Sequence, residues 1–213
     1  MSVGAAVRGA LGRFEPAAIR GYRGMFIDLD ALATTVASVT PKAARILEIG
    51  CGDGAMAAAL RRVLPQAEVV GLDPAAPSPG RMYDGDRTGV DFRPISTTEL
   101  LEEKPDPFDL IMICDVIHHV AENERVQVLK DAAELTAPGG TVALKEWEQR
   151  PGLANSAAFF ADRFVSGDPT VRFMARPELD GLIEAAMPGW SVSSESRVPP
   201  RRANLLLTLQ RPL

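Results

Sequence analysis

The chain has 213 residues, of which 46% are hydrophobic and 24% are charged. This length suits one domain with a single core, and this composition argues against a disordered chain. The net charge of -5 argues against a protein that binds nucleic acid by neutralising phosphates, because that mode requires a positive surface. We therefore predict one domain over residues 1–213.

The two cysteines, Cys51 and Cys114, lie outside any Cys/His spacing that is typical of a metal site. We predict free thiols, no disulfide and no bound metal. Residues 1–12 lack the apolar stretch of a signal peptide, and no run of residues reaches membrane-spanning length. A cytoplasmic protein with no membrane partner is therefore expected.

The first forty residues are predicted to be helical, because their apolar side chains recur at steps of three or four residues. This stripe consists of Ile19, Tyr22, Phe26, Leu29 and Leu32. Pro41 ends the pattern, since proline cannot continue a helix. We predict an N-terminal helical cap over residues 1–40.

Short apolar runs then alternate with amphipathic stretches, a pattern typical of a parallel sheet crossed by helices. The predicted strands are 45–49, 68–72, 90–93, 109–114, 141–147, 190–196 and 205–209. The predicted helices among them are 55–64, 97–103, 124–135 and 176–186. The Pro-Gly-Gly sequence predicts a turn over 136–140, and the prolines and glycines of 74–89 predict mostly loop.

Residues 150–175 follow the fifth predicted strand and are too apolar for a simple linker. Aromatic and basic residues alternate there, which suggests a substrate lid over an apolar acceptor pocket with a cationic edge. The residues concerned are Phe159, Phe160, Arg163, Phe164, Arg172 and Phe173. A self-contained helical cap would have the same composition, so both interpretations stay open.

Three glycines, Gly50, Gly52 and Gly54, stand between the first predicted strand and the helix after it. Glycine permits a positive φ and the close approach of a ligand, and the helix that follows offers unpaired amides. The turn is therefore predicted to bind a cofactor. Glu48, just before it, would add nothing to a pyrophosphate site, which favours a ligand with a cationic group.

Asp73 ends the second predicted strand, where its carboxylate can accept two hydrogen bonds from a ribose diol. An adenosyl ligand is therefore indicated. The glycine spacing and Asp73 also fit a nicotinamide nucleotide. These residues alone leave both cofactors open.

Four segments resemble, in order, the motifs of class I S-adenosylmethionine-dependent methyltransferases. They are Glu48-x-Gly50-x-Gly52-x-Gly54, Asp73-Pro74, residues 108–120 (FDLIMICDVIHHV) and residues 135–140 (LTAPGG). The resemblance covers residues 44–147, and the later helix and strands match the family's closing hairpin in order. It implies a Rossmann-like, doubly wound α/β fold: a seven-stranded, mostly parallel sheet with an antiparallel C-terminal strand.

The resemblance also implies S-adenosyl-L-methionine as cofactor, with Gly50 and the neighbouring backbone on its methionine part and Asp73 on its ribose. The third strand departs from the family, because Ile95-Ser96 stands where many relatives place an acidic residue against the adenine. Asp115 would bind the amino group of the cofactor or cap the next turn. The predicted cofactor-binding residues are Glu48, Gly50, Cys51, Gly52, Gly54, Asp73, Pro74, Ile95, Ser96, Cys114 and Asp115.

The candidates for catalysis follow the fourth and fifth predicted strands, at the edge where such sheets bind ligands. His119 is the first choice for a base that deprotonates a hydroxyl, and His118 is the second. In the alternative, His119 packs beneath the cofactor and His118 faces solvent. Glu146 is preferred to Glu148 for orienting a substrate, although solvated carboxylates are common at strand ends.

Trp147 is expected in the core rather than in a pocket. Arg20, Tyr22 or Arg23 of the helical cap would pair with the cofactor's carboxylate, or else form a solvated face.

We therefore expect an enzyme that methylates a small, apolar or aromatic acceptor, of the kind common in secondary metabolism, with oxygen preferred to nitrogen or carbon. A nicotinamide-dependent oxidoreductase is the alternative, but it leaves the fourth-strand exit and the Pro-Gly-Gly turn unexplained. A methyltransferase-like partner subunit without catalysis is the third possibility.

Overall fold

The computed structural model describes residues 21, 23–149, 171–200 and 202–211. The strands are β1 Arg45–Ile49, β2 Glu68–Leu72, β3 Val90–Arg93, β4 Phe108–Cys114, β5 Thr136–Trp147, β6 Ser191–Arg197 and β7 Asn204–Gln210. The helices are α1 Leu29–Val39, α2 Ala55–Val63, α3 Thr97–Glu102, α4 Glu122–Leu135 and α5 Arg176–Ala186. The positions of the predicted strands and of the four later helices are confirmed, with most bounds within a residue or two.

All seven strands form one sheet in the order β3-β2-β1-β4-β5-β7-β6. The strands from β1 to β5 pair in parallel, whereas β7 runs antiparallel between β5 and β6. The predicted Rossmann-like sheet with an antiparallel C-terminal strand is thus confirmed. The strand order reverses direction between β1 and β4, and the carboxyl ends there border the crevice in which such sheets bind ligands.

The core lies on both faces of the sheet, since successive strand side chains point to opposite faces. Leu47, Ile111 and Val142 pack on one face with residues of α3, α4 and α5. Ile46 and Leu110 pack on the other face with residues of α1 and α2. Burial on both faces explains why the central strands read as continuous apolar runs in the sequence.

β5 differs from its prediction, because it begins directly after α4 rather than at residue 141. Thr136 pairs with Phe108, and the next pair joins Thr141 to Leu110, so residues 137–140 bulge out of the ladder. Gly139 has a φ of 74° in this bulge, a value that favours glycine. The predicted turn is therefore a bulge within the strand.

The N-terminal stripe is interrupted, contrary to the prediction of one continuous pattern. Helical conformation at Gly24 is followed by a break, and α1 begins after Asp28, whose carboxylate accepts a hydrogen bond from the Ala31 amide at 2.9 Å. Asp28 is thus an N-cap, which separates Phe26 from Leu29.

Other predictions are only partly covered by the described residues. The loop over 74–89 is confirmed, and α1 ends before Pro41 as expected. Residues 1–20 and 22 of the helical cap, and residues 150–170 of the insertion, lie outside the described residues. Among the helices that are described, none has the length and apolar character needed to cross a membrane.

Candidate functional site

The glycine turn lies at the carboxyl ends of β1 and β2 and is held by main-chain bonds. The amides of Gly50 and Cys51 both donate to the carbonyl oxygen of Leu72, at 2.7 and 2.9 Å. Gly50, Gly52 and Gly54 have φ values of 71°, 51° and 87°. All three therefore adopt the left-handed conformation that glycine reaches without steric cost.

The space beside these glycines differs from one to the next. A Cβ at Gly50 would lie 2.4 Å from Cγ2 of Val116, and one at Gly54 would lie 2.9 Å from Cα of Gly80. At Gly52 the nearest atom would be Oδ2 of Asp73, at 4.0 Å. Gly50 and Gly54 are thus required by internal packing, whereas the backbone at Gly52 borders open space that a ligand can approach.

Asp73 is bound to the glycine turn by its own side chain. Its Oδ2 accepts a hydrogen bond from the Gly52 amide at 2.9 Å, and its Oδ1 accepts from the Ala75 and Ala76 amides at 3.0 and 2.9 Å. A carboxylate offers about four lone-pair positions, and three are used here. In this conformation Asp73 has about one position left for a ribose, fewer than the two expected from the sequence. Pro74 opens the turn that presents these amides.

Glu48 lies in β1 below the turn and is 2% exposed. Burial, reinforced by the negative charge of Asp53, raises the pKa of Glu48 to about 8. Its Oε2 is buried and has no hydrogen-bond partner among the described residues. A buried carboxyl oxygen without a partner is costly, so this atom points to a donor supplied by a ligand.

Arg23 connects the N-terminal segment to the glycine turn. Its Nη2 lies 2.6 Å from Oδ2 of Asp53, and Oδ1 of Asp53 accepts from the Ala55 amide at 3.2 Å. The sequence suggested that a basic residue of the cap pairs with the cofactor's carboxylate. In this structure the guanidinium of Arg23 instead pairs with a carboxylate of the chain.

Ser96, predicted to contact the adenine, is the N-cap of α3. Its hydroxyl donates to Oε2 of Glu99 at 2.7 Å and accepts from the Glu99 amide at 3.2 Å. The single hydroxyl proton is therefore used within the chain, which favours the backbone alternative for the adenine contact. Ile95 beside it is partly buried against the core.

At the exit of β4, Asp115 adopts a left-handed backbone with a φ of 56°. Its amide donates to the carbonyl oxygen of Lys145 at 2.9 Å, and its Oδ2 contacts Nζ of Lys145. Its Oδ1 is buried without a hydrogen-bond partner among the described residues. Lys145, a fully buried lysine of β5, could not be predicted from the sequence, because no motif marks it.

His118 and Glu146 form a buried pair between the exits of β4 and β5. Nδ1 of His118 lies 2.5 Å from Oε2 of Glu146, and the two side chains are 2% and 3% exposed. Oε1 of Glu146 accepts from the amides of Val116 and Ile117 at 3.1 and 2.8 Å. Burial acts to raise the pKa of Glu146, but the charge and hydrogen bond of His118 outweigh it, so this pKa lies below its usual value.

Two alternatives from the sequence are therefore wrong: His118 does not face solvent, and Glu146 is not a solvated carboxylate at a strand end. Burial of His118 follows from the 3₁₀ turn Ile117–His119, which directs its ring toward Glu146. His119 is half-buried, with its ring centroid 4.2 Å from that of His118. Glu148, the less favoured carboxylate, pairs with Arg197 at 2.5 Å.

Asp115, His118 and Glu146 offer possible metal ligands within 4.8 Å of one another in the described part of the chain. The ammonium of Lys145 already contacts Asp115, and Glu146 already accepts bonds from His118 and from two amides. These contacts satisfy the charges of the group. The arrangement therefore does not call for a metal ion.

The two cysteines of the site are free thiols. Cys51 is buried in the turn, and burial raises its pKa. Burial also raises the pKa of Cys114, and the charges of Asp115 and Glu48 add to this effect. Protonated thiols at both positions are unsuited to nucleophilic chemistry.

An aromatic group lies beyond the end of β5. The ring of Trp147 is 6.1 Å from that of Phe26 and 6.2 Å from that of Phe173, and Phe173 meets His118 edge-on at 5.1 Å. Trp147 is buried, as predicted. Arg172 pairs with Glu122 and Glu178 at the surface. The other aromatic and basic residues predicted for a lid, at 159–164, lie outside the described residues.

The family model described as "Methyltransferase domain" matches residues 47–142, which contain the glycine turn, Asp73 and the exit of β4. This match and the sheet described above indicate a class I S-adenosylmethionine-dependent methyltransferase. The resemblance of the four sequence motifs is thereby confirmed.

Known relatives of this methyltransferase include a Ubiquinone biosynthesis O-methyltransferase of Xanthomonas campestris pv. campestris, 29% identical over 126 residues. That match covers 59% of this chain and 51% of the relative, so the chain spans about half the length of the curated relative. An O-methyltransferase family protein from Burkholderia thailandensis has a similar structure, with a TM-score of 0.66 and 19% identity. The likeness covers 86% of this chain and 57% of that protein.

The mitomycin 7-O-methyltransferase MmcR is a second similar structure, with a TM-score of 0.65 and 20% identity, covering 79% of this chain and 49% of that one. At this level of identity, both structures support the fold alone.

Proposed function

We propose that this methyltransferase transfers a methyl group from S-adenosylmethionine to an oxygen atom of a small acceptor. One observation carries the cofactor assignment: Glu48 and Asp115 each have a buried carboxyl oxygen with no partner among the described residues. Glu48 lies in β1, just before the glycine turn, and Asp115 directly follows β4, the strand that pairs with β1. A cationic group with several N–H donors fits such oxygens, and the α-ammonium of the cofactor is one.

The other predicted cofactor-binding residues are consistent with this position. Gly50, Gly52 and Gly54 form the turn that would hold the methionine part, and Asp73 beside it would meet the ribose. A dinucleotide fits less well, because its pyrophosphate would bring negative charge to a turn surrounded by the carboxyl groups of Glu48, Asp53 and Asp73.

The cofactor supplies an electrophilic methyl group on a positively charged sulfur. The chain must then align the acceptor oxygen, exclude water and take up the proton of the hydroxyl. Glu146 orients His118 through the hydrogen bond to Nδ1. We keep His119, which is half-buried beside His118, as the first choice for the base, and His118 as the second.

The choice of oxygen is supported by the curated relative, which is named as an O-methyltransferase. An apolar or aromatic acceptor is supported by Phe173, whose ring meets His118 edge-on at 5.1 Å.

The proposal is tested by calorimetric titration with S-adenosylhomocysteine, with oxidised nicotinamide nucleotide as the competing ligand. We expect S-adenosylhomocysteine to bind, and Asp73→Ala to weaken it about 100-fold or more, since charged hydrogen bonds contribute about 1.5–3 kcal/mol each and the turn also loses its support. Asp106→Ala, at a carboxylate whose side chain is 94% exposed, is the control and should bind as the wild type does. Binding of the nicotinamide nucleotide alone would overturn the proposal.

Turnover is tested with a panel of hydroxylated aromatic and aliphatic acceptors and mass spectrometry of the products. We expect methylation at oxygen. Cofactor binding without product over the whole panel would favour the non-catalytic partner subunit instead.

A further inference from the structure

We infer that Lys145 is a positioning residue for cofactor binding: it holds Asp115 so that one carboxylate oxygen faces the α-ammonium of the cofactor. This inference rests on the proposed function and assigns a role to a residue that no motif singles out. Lys145 itself does not touch the ligand in this scheme. Its effect reaches the ligand through Asp115.

The burial of Lys145 is the first observation. It lies in the middle of the sheet, where it pairs with Cys114 of β4 on one side and Leu206 of β7 on the other, and its side chain is 1% exposed. Burying the ammonium of a lysine costs desolvation free energy even when its partner, here Asp115, is only partly buried, and an apolar residue of similar volume often stabilises a fold as well or better. Stability alone therefore does not account for a lysine here.

The second observation is that Lys145 holds Asp115 at two points. Its carbonyl oxygen accepts a hydrogen bond from the Asp115 amide at 2.9 Å, and its Nζ contacts Oδ2 of the same residue. Asp115 has a φ of 56°, a conformation that a residue other than glycine keeps only when its surroundings hold it. The main chain of β5 fixes the backbone of Asp115, and the ammonium of Lys145 fixes its carboxylate.

The third observation concerns the direction of that carboxylate. With Oδ2 on Lys145, Oδ1 is left buried without a partner among the described residues, as Oε2 of Glu48 is. The charges of Asp115 and Glu48 both reach the Cys114 thiol, and Sγ of Cys114 lies 3.9 Å from Oδ2 of Asp115. The two unpartnered oxygens thus belong to carboxyl groups whose charges both act on Cys114.

While Glu48 keeps its proton, the ammonium of Lys145 balances the carboxylate of Asp115, and the group needs no added cation. When Glu48 and Asp115 are both ionised, the ammonium of Lys145 compensates one carboxylate and leaves the other for the ligand. A primary ammonium brings the missing charge and three N–H donors. Without Lys145, the same ligand would have to compensate two carboxylates by itself, the buried Glu48 and the partly buried Asp115.

The experiment compares two ligands that differ in the part that Asp115 would meet. S-adenosylhomocysteine carries the α-ammonium, whereas 5′-methylthioadenosine lacks the whole amino-acid part and keeps the adenosine and the sulfur. Lys145→Met keeps the length of the side chain and removes its charge. We expect it to weaken S-adenosylhomocysteine about tenfold or more while 5′-methylthioadenosine changes by less than about twofold in calorimetric titrations.

Matched variants keep the result interpretable. Lys42→Met makes the same substitution at an exposed lysine before β1, at the opposite edge of the sheet, and should change neither affinity. Asp115→Asn keeps a residue that tolerates the left-handed backbone and removes the charge. In that background Lys145→Met should cause little further loss for S-adenosylhomocysteine, because there is no carboxylate left to hold.

The outcomes separate the inference from the function on which it rests. An equal loss for both ligands would show that Lys145 only supports the fold, and unchanged affinities would also overturn the inference. If Lys145→Met does not fold, Lys145→Arg and Asp115→Asn take its place. The quantity that decides is then the ratio of the affinity for S-adenosylhomocysteine to the affinity for 5′-methylthioadenosine. If this ratio is unchanged in Asp115→Asn, the inference is contradicted. A wild-type protein that binds neither ligand would instead overturn the proposed function.

Discussion

The two halves of the carboxyl edge of the sheet are built by different means. Around β1 and β2, main-chain amides hold the site: those of Gly50 and Cys51 bind the Leu72 carbonyl, and the carboxylate of Asp73 accepts three further amides. Around β4 and β5, charged side chains hold it, in the buried pair of His118 with Glu146 and in the pair of the buried Lys145 with the partly buried Asp115.

This difference determines how each half responds to change. A site made of main-chain bonds depends on backbone conformation and on the space around it, so small side chains introduced there act through sterics and φ. A site made of buried charged pairs depends on protonation and charge, because breaking such a pair leaves an uncompensated group. We therefore expect the first half to be sensitive to substitutions that add side-chain volume, and the second half to substitutions that remove a charge.

The largest effect is expected from an added methyl group in the first half. Gly50→Ala places a Cβ 2.4 Å from Cγ2 of Val116 at a φ of 71°. We expect the free energy of unfolding to fall by about 2–4 kcal/mol, from overpacking together with the strained backbone. Denaturant titration followed by circular dichroism measures this loss. Wild-type stability would contradict the packing described for the turn.

Gly52→Ala is the matched variant, since its Cβ would meet only Oδ2 of Asp73 at 4.0 Å. We expect a smaller loss of about 1–2 kcal/mol, from the left-handed backbone alone. The affinity for S-adenosylhomocysteine should nevertheless fall about tenfold or more, because the methyl group occupies space that the ligand approaches. A variant that is destabilised but binds normally would show that Gly52 does not border the cofactor.

The difference between the two halves also explains which features of the fold and the site could be predicted from the sequence. The bounds of β1, β2 and β3 and the role of the glycine turn follow from local patterns: apolar runs, glycine spacing and a strand-end aspartate. The break before α1 was not predicted. Aspartate favours the N-cap position, but the regular spacing of the apolar residues on both sides of Asp28 favoured one continuous helix.

The second half could be predicted only in part, because its contacts join residues about thirty positions apart. His118 and Glu146 were selected separately, but their hydrogen bond depends on the register between β4 and β5. The same register places Lys145 beside Cys114 and thereby near Asp115. No local sequence pattern tells whether a lysine within an apolar strand is buried in an ion pair or exposed at the surface.

An intermediate effect is expected when charge is removed from the second half. Glu146→Gln keeps the shape of the side chain and removes the charge that meets Nδ1 of His118. If His118 or His119 acts as the base, we expect kcat to fall about 100-fold, the size typical of general base catalysis. The pH profile of kcat should shift as well, because the imidazole loses its anionic partner.

Glu148→Gln is the control, two residues along the same chain segment. Its carboxylate pairs with Arg197, away from His118, and the two side chains are 12% and 31% exposed. We expect kcat within about twofold of the wild type. If Glu146→Gln lowers stability but leaves the kcat of the folded protein unchanged, the pair of His118 and Glu146 is structural only.

The smallest effect is expected at Glu48, where the two halves meet. With a pKa of about 8, its carboxyl group carries a proton near neutral pH. A cationic ligand favours the ionised form, so binding should release a proton below that pH. The affinity for S-adenosylhomocysteine should then rise with pH and level off above about 8, with a slope of at most tenfold per pH unit.

Glu48→Gln should remove this slope while weakening binding only a few-fold at neutral pH, because removing the proton from wild-type Glu48 there offsets part of what its charge contributes to binding. Calorimetry in two buffers with different ionisation enthalpies measures the released proton directly. Stability gives an independent check on the sign: the pKa is raised from 4.5 in the folded state, so the free energy of unfolding should fall as the pH rises from 4.5 toward 8. The variant should lose this dependence as well, and its persistence would assign the titration to another group.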